Sequence, residues 1–324
     1  MKRLWIVGLF FALLLLAGAV WAPCAARPSL AYHWPIKPFD RQHPIRGGFG
    51  DPRTLDLEQP FGVTRPDDSG AYSFHGGIDI VGRAGTPVYP VVSGRVILAG
   101  NHKIVVDSGD SRVFEYWHLR SNVELGQEVV AEHTVIGWIQ RPLLHVHLSE
   151  TDDNHAQNPL APGHLEPYAD HTKPRAIALD FDNGRSPELT QGGRLPHGDA
   201  LAIDAVDQPA MPVPGEYAGL PQTPALVEWR LRSGRRHWSA WHITGDFRRT
   251  VPGPLRFWNV YAPGTYQNSP GFAGRPCFGV AGLYLFRVGL DTSRLRAGDY
   301  KLEAKVSDIR GNTSRTIWPL EIPG

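Results

Sequence analysis

The chain has 324 residues, too many for one ordinary hydrophobic core and suited to two at roughly 150 residues per domain. Lys and Arg number 33 against 32 Asp and Glu, a formal net charge of +1, which excludes a strong global field drawing the protein to nucleic acid or to an anionic lipid surface. With 35 Gly and 29 Pro scattered at short intervals, the composition favours many short strands joined by tight turns over long helices, and so a mostly β chain.

The first stretch, MKRLWIVGLFFALLLLAGAVWAPCAARPSLAY, sets two cations before an apolar run from Leu4 to Val20, then small residues over Ala22 to Ala31. That order predicts an export signal over residues 1–31, cleaved after the apolar run, with an uncleaved N-terminal anchor as the alternative. Cys24 falls in or beside this segment, which leaves Cys277 as the one mature cysteine and no partner for an intrachain disulfide. An exported chain of this kind is compatible with a bacterial periplasm or secretion.

Residues 41–70, RQHPIRGGFGDPRTLDLEQPFGVTRPDDSG, are rich in Gly, Pro and Asp and read as a long wrapped loop. Short β-type runs follow at close spacing: GIDIVG, TPVYPVVSGRVILAG, KIVVDSG, RVFEYWHL, QEVVAEHTVIGWI and LLHVHLSE. A polar, Pro-containing stretch over 151–175 then separates this block from a second series: RAIALDF, ALAIDAVD, ALVEWRLRS, RHWSAWHI, LRFWNVY, GLYLFRV and DYKLEAKVSDIRGNTSRTIWPLEI. The expected organisation is a first β domain over 32–171 and, from Thr172 to 324, an immunoglobulin-like β-sandwich lacking the Cys…Trp…Cys pattern. Trp229, Trp238, Trp241 and Trp258 are expected to serve packing in that sandwich.

Chemistry concentrates in the first block. On an extended chain His75 and Asp79, four apart in FHGGIDI, share one face while Ile78 and Ile80 point to the other, and Gly76 and Gly77 leave the polar face uncrowded. His145 and His147 in LLHVHLSE repeat the pattern two apart, and His118 follows an aromatic-rich run in FEYWHL. A His, Asp, His set suits tetrahedral Zn²⁺ with a fourth position open to water.

The ordered motifs HGGIDI, GTPVYPVVSGRV, YWHL, VELGQEVVAEHTVIGWI and HVH, with GGFGDPR upstream, resemble the lysostaphin/LytM-type zinc metallopeptidases over roughly residues 35–165. The resemblance implies a LytM-type β-sheet peptidase domain (the duplicated hybrid motif) and one zinc ion held by His75, Asp79 and His147. It also implies that His145 and His118 are catalytic without being ligands. The implied activity is hydrolysis of peptide bonds in bacterial peptidoglycan. The alternatives are a non-catalytic activator of cell-wall amidases and a secreted protease against Gly-rich proteins. The chain departs from the family pattern where a Gly/Ser/Thr-rich loop usually precedes HxH, here IQRPLL, and where a glutamate usually follows two residues after it, here Ser149 with Glu150 next.

His102, His133, His155, His164, His171, His197, His237 and His242 have no second ligand at short spacing and are expected to be solvated or satisfied locally. Asp204 and Asp207, or Asp308 with Asn312, could suit calcium, but turn-capping is the expected role. The expected partner is cell-wall peptide rather than nucleic acid, and the expected state is a monomer.

Overall fold

The computed structural model describes residues 31–54, 63–64, 71–181, 194–195, 200–234, 237–269 and 281–324. The expected export signal, apart from its last residue, and Cys277 lie outside the described residues. Among the described residues no helix is long and apolar enough to cross a membrane.

The described residues are mostly β-strand with few helical turns, as the turn-rich composition predicts. A ten-stranded sheet organises the first half, with the main order Ile45–Gly47, Ile78–Val81, His145–Asp152, Arg112–Ser121, His102–Asp107, Gly94–Ala99 and Glu128–Val129. Neighbours on this path run antiparallel. Period-two alternation builds it: Ile78, Ile80, Val146, Leu148, Phe114, Tyr116, Ile104 and Val106 are fully buried on the core side. The intervening positions Asp79, His147 and Trp117 are thereby turned to the opposite face.

The segment read as a wrapped loop over 41–70 contributes structure of its own. Ile45–Gly47 is an edge strand of the large sheet, and Pro52–Arg53 pairs with Ala71–Phe74 in a small separate sheet. Local Gly and Pro content hid these strands because each is only two or three residues long and is held by its partner rather than by propensity.

The second half forms two antiparallel sheets. Arg175–Phe181, Leu201–Val206 and Leu285–Val288 make one, and His242–Asp246, Leu226–Ser233, Gly298–Ser307 and Thr313–Ile322 the other. Leu179, Ile203 and Phe286 of the first sheet share a core with Val227, Leu302 and Leu320 of the second, the layered arrangement of a β-sandwich. One run departs from expectation: LRFWNVY is a 3₁₀ turn over Pro254–Arg256 followed by a short α-helix, Phe257–Val260. Phe257, Val260 and Tyr261 are the buried positions, a helical i, i+3, i+4 spacing that the strand reading overlooked, and Pro254 opens the turn. In RHWSAWHI only the end is strand, and Trp238 and Trp241 instead lie against Arg230, whose guanidinium is 4.7 and 4.4 Å from their ring centres. Asp308 caps its turn as expected, accepting from the backbone N–H groups of Arg310 and Asn312.

The halves share one apolar core. Phe247 packs on Phe74 at 5.7 Å and on Tyr261 at 6.2 Å between ring centres. The Asn158 side-chain amide donates to the Phe247 carbonyl, the Tyr261 hydroxyl to the Gly50 carbonyl, and the Gln222 amide to the Ile45 carbonyl. Phe74 is the residue before His75, so this cluster supports the segment that delivers the first site histidine. Phe247→Ala is expected to lower stability by about 3–5 kcal/mol, the usual cost of an aromatic deleted from a closed core. Urea denaturation of the full chain measures it, and a loss under about 1 kcal/mol would show that this contact does not hold the halves together.

Candidate active site

Register across the large sheet brings the site residues into one row. Gly47 lies opposite Asp79, Asp79 opposite His147, and His147 opposite Trp117. His75 arrives differently from its expected place on the Asp79 strand. It sits in the link between Ala71–Phe74 and Ile78–Val81, as the chain passes from the small sheet to the large one. Its backbone N–H donates to the Asp51 carbonyl, and its own carbonyl accepts from Gly50.

Two glycines make the row possible. A Cβ at Gly77 would lie 2.4 Å from the Leu148 carbonyl oxygen and 2.8 Å from His147 Cε1, so the link can cross the His145–Asp152 strand only without a side chain there. At Gly47 a Cβ would meet Asp79 Oδ2 at 2.6 Å. Gly76 has no such contact, its nearest neighbour being at 3.5 Å, and it is not needed for clearance.

The three expected ligands come together. His75 Nε2, Asp79 Oδ1 and His147 Nδ1 are separated by 2.8, 3.0 and 3.3 Å. Zinc bonded at about 2.0–2.1 Å holds tetrahedral ligand atoms roughly 3.3 Å apart, close to this spacing. The tautomers agree. His75 Nδ1 donates to the Gly48 carbonyl at 2.7 Å, which leaves its Nε2 lone pair facing the other two atoms. Ser149 Oγ lies 2.6 Å from His147 Nε2, on the ring edge away from the cluster. A small cation bonded to all three atoms satisfies three converging acceptors at once, so the residues present fit the metal. Ser149 thus orients the His147 ring, while Glu150 turns away and accepts from the Tyr32 hydroxyl and His164 Nδ1 at 2.6 and 2.7 Å.

The two remaining histidines stand beside the cluster. His145 is fully buried, donates from Nδ1 to the Leu143 carbonyl at 2.5 Å, and holds Nε2 3.6 Å from Asp79 Oδ1. The His118 ring lies 4.7 Å from that of His145 and 6.5 Å from that of His147. Irregular backbone aims both. The Arg112–Ser121 strand pairs with His145–Asp152 up to Trp117 and with Gly137–Ile139 from Leu119, so His118 occupies the changeover. On the other side of the strand, Lys103 faces Trp117 and His102 faces Leu119, a bulge at His118, whose φ is 68°. Such bulges re-aim a side chain. Leu144, just before His145, has φ 50°. Each left-handed non-glycine position costs on the order of 1–3 kcal/mol, offset by the surrounding packing.

Three further residues complete the site, and none was singled out from sequence. Arg46 and Arg53 place guanidinium nitrogens 2.8 and 2.9 Å from Asp79 Oδ2, and Arg46 Nη2 donates to His145 Nε2 at 3.1 Å. Asp51, fully buried, accepts from the backbone N–H groups of Gly48 and Thr223 and lies 3.9 Å from Arg53. Asp51 and Arg53 fall within GGFGDPR and Arg46 immediately precedes it, a segment with no second metal-ligand residue at short spacing.

Electrostatics follow from burial. Burial alone would raise the Asp79 carboxyl, but Arg46, the neighbouring imidazoles and Arg53 overturn this and hold it well below the usual carboxylate range. Burial, with Arg53 nearby, pushes His75 down to about 3, and burial against the opposing pull of Asp79 brings His118 down to about 4. Burial also depresses His145. For His75 and His118 protonation is therefore deferred below the ordinary range near 6.5, and both are neutral at pH 7.

Imidazole ¹⁵N spectra of the metal-free protein should show His75 and His118 neutral at about pH 5.5, with midpoints about 3 and about 4. A midpoint near 6.5 for either would mean that the ring is solvated. Gly77→Ala should remove metal binding together with about 1–3 kcal/mol of stability, the ordinary cost of overpacking. Metal content and melting temperature read the two effects, and full metal occupancy in that variant would show that the crossing tolerates a Cβ.

Residues 73–159 match the model of peptidase family M23. Solved structures similar to this chain include the catalytic domain of lysostaphin from Staphylococcus simulans, at 27% identity over 31% of this chain and 85% of that one, with a TM-score of 0.25. A zinc-containing peptidase from Vibrio cholerae matches at 24% identity over 40% of this chain and 39% of that one, TM-score 0.30. The catalytic domain of the prophage-encoded M23 protein EnpA from Enterococcus faecalis, in a mutant form, matches at 19% identity over 42% of this chain and 98% of that one, TM-score 0.27. No curated protein matches the chain. The matched segment begins two residues before His75 and contains Asp79, His118, His145 and His147, and this part of the chain is thus similar to peptidase family M23, a family of zinc metallopeptidases.

Proposed function

We propose that the protein is an exported zinc metalloendopeptidase that hydrolyses peptide bonds in bacterial peptidoglycan, acting in the periplasm or outside the cell. The observation that carries the reading is the convergence of His75 Nε2, Asp79 Oδ1 and His147 Nδ1 within hydrogen-bonding distance of one another, with two neutral imidazoles alongside. Zinc, when bound, supplies Lewis-acid activation of water and of a peptide carbonyl. His145 can move a proton only at Nε2, because Nδ1 is committed to the Leu143 carbonyl, and there the proton takes the place of the hydrogen bond from Arg46. In this reading Nε2 takes the proton of the attacking water as its oxygen bonds to the carbonyl carbon, then delivers that proton to the leaving amine as the C–N bond breaks. His118, set across from His145 by its bulge, donates a hydrogen bond to the developing oxyanion.

Purified peptidoglycan incubated with the protein should yield new peptide termini, and a chelator should abolish them; a Gly-rich protein treated in parallel identifies a preference for protein substrates. Release of new termini that persists in chelator would remove the metal from the reaction. His147→Ala should lose zinc at ordinary concentrations by leaving a two-ligand site. His118→Ala should keep stoichiometric zinc while turnover drops by about 10² or more. Unchanged turnover in His118→Ala would end its assignment to the reaction.

A further inference from the structure

The guanidinium of Arg46 touches a metal ligand, a catalytic candidate and the second half of the molecule together. One nitrogen, Nη2, lies 2.8 Å from Asp79 Oδ2 and 3.1 Å from His145 Nε2. Support for the guanidinium comes from the C-terminal region: the Tyr217 ring, on the 3₁₀ turn Gly215–Tyr217, lies 4.4 Å from Arg46 Cζ. The Arg46 backbone carbonyl accepts from Asn268 Nδ2 at 2.7 Å, and the Ile45 carbonyl from Gln222 Nε2 at 2.6 Å. Tyr217, Gln222 and Asn268 all belong to the second half, and Arg46 itself lies upstream of the segment that matches family M23.

We infer that Arg46 is a positioning residue for the metal site and that Tyr217, acting through it, makes the site a joint product of both halves of the chain. The inference rests on the zinc reading above. A carboxylate with both oxygens free can rotate or chelate through both. Here two guanidiniums occupy Oδ2, so Oδ1 alone faces His75 and His147. The hydrogen bond from Arg46 Nη2 also fixes His145 Nε2 as an acceptor, directed to the same side as Asp79 Oδ1. Arg53 reaches Asp79 Oδ2 through Nη2 while its Nη1 lies 3.9 Å from Asp51, and the guanidinium that also reaches His145 Nε2 is that of Arg46. The Tyr217 ring covers the guanidinium and restricts it to the plane in which Nη2 reaches both acceptors. A flat cation held on an aromatic face is well suited to this, since the two N–H bonds of Nη2 lie at a fixed angle in the guanidinium plane, whereas the three donors of a lysine ammonium rotate freely about its Cε–Nζ bond.

The test uses the full chain and the variants Arg46→Met, Arg46→Lys and Tyr217→Leu, with melting temperature of the metal-free proteins as the folding control. Zinc affinity is measured by chelator competition, and site geometry by the visible spectrum of the cobalt-substituted protein. Arg46→Met should weaken zinc about 10- to 100-fold, the usual effect of losing a partner of a metal ligand. It should also change the cobalt spectrum and lower kcat with KM within about twofold, since no substrate contact is removed. Arg46→Lys should recover zinc affinity while kcat and the spectrum stay altered. Tyr217→Leu should move the spectrum in the same direction as Arg46→Met with a smaller loss of affinity, and it carries the test should Arg46→Met fail to fold. A zinc-loaded wild-type protein whose Arg46→Met variant keeps the same affinity and spectrum overturns this inference alone. A wild-type protein that takes up no zinc overturns the reading beneath it.

Discussion

Everything in the site depends on how one buried carboxylate is shared. Asp79 is almost wholly enclosed, and an unpaired charge in that place would be expelled or neutralised. Its two oxygens are divided between opposite demands: Oδ2 between the guanidiniums of Arg46 and Arg53, Oδ1 toward two imidazole nitrogens. The guanidiniums make an ionised carboxylate tolerable inside the protein, and the division leaves one oxygen with spare acceptor capacity at the point where the histidine lone pairs meet. The clearance at Gly47, the edge strand that carries Arg46 and the neutral state of His75 all follow from keeping this arrangement dry and intact.

That requirement ties the sheet carrying the candidate ligands to the sandwich behind it. Thr223 donates its backbone N–H to Asp51, which steadies Arg53, and Tyr261 donates to the carbonyl of Gly50, whose N–H in turn holds the His75 carbonyl. A chain of hydrogen bonds therefore runs from the sandwich core to His75. The strained backbone at His118 and Leu144 sits within this rigid frame, where neighbouring strands over-determine it.

Much of this was legible in the amino-acid order. The alternation in GIDIVG and HVHLSE places Asp79, His145 and His147 on a polar face because side chains on a strand must alternate, and no tertiary detail can change that. The strand series of the second half was readable for the same reason. His75 was placed near its partner by spacing, yet the reason was different from the one expected: it sits on a link between two sheets, and a four-residue separation says nothing about which sheet each end joins. LRFWNVY misled because Phe257, Trp258, Val260 and Tyr261, four large apolar residues in five, satisfy both a buried strand and one turn of helix. Arg46, Asp51 and Arg53 escaped because charged residues in a Gly- and Pro-rich segment look solvated until a distant partner covers them, as Thr223 covers Asp51 at a separation of 172 residues. The bulge at His118 has no local signature, since it arises where one strand changes partners.

The beginning of the described chain limits where the protein can be trimmed. Tyr32 pairs through its backbone with the 164–166 segment and gives its hydroxyl to Glu150, on the strand that bears His147, while Trp34 two residues later is sealed in the core. The chain is thus locked to the catalytic sheet from Tyr32 onward. A processing protease, or an added purification handle, has to act upstream of that point. Trimming past Tyr32 would leave a buried glutamate without its phenolic donor in the strand on which the metal site is built.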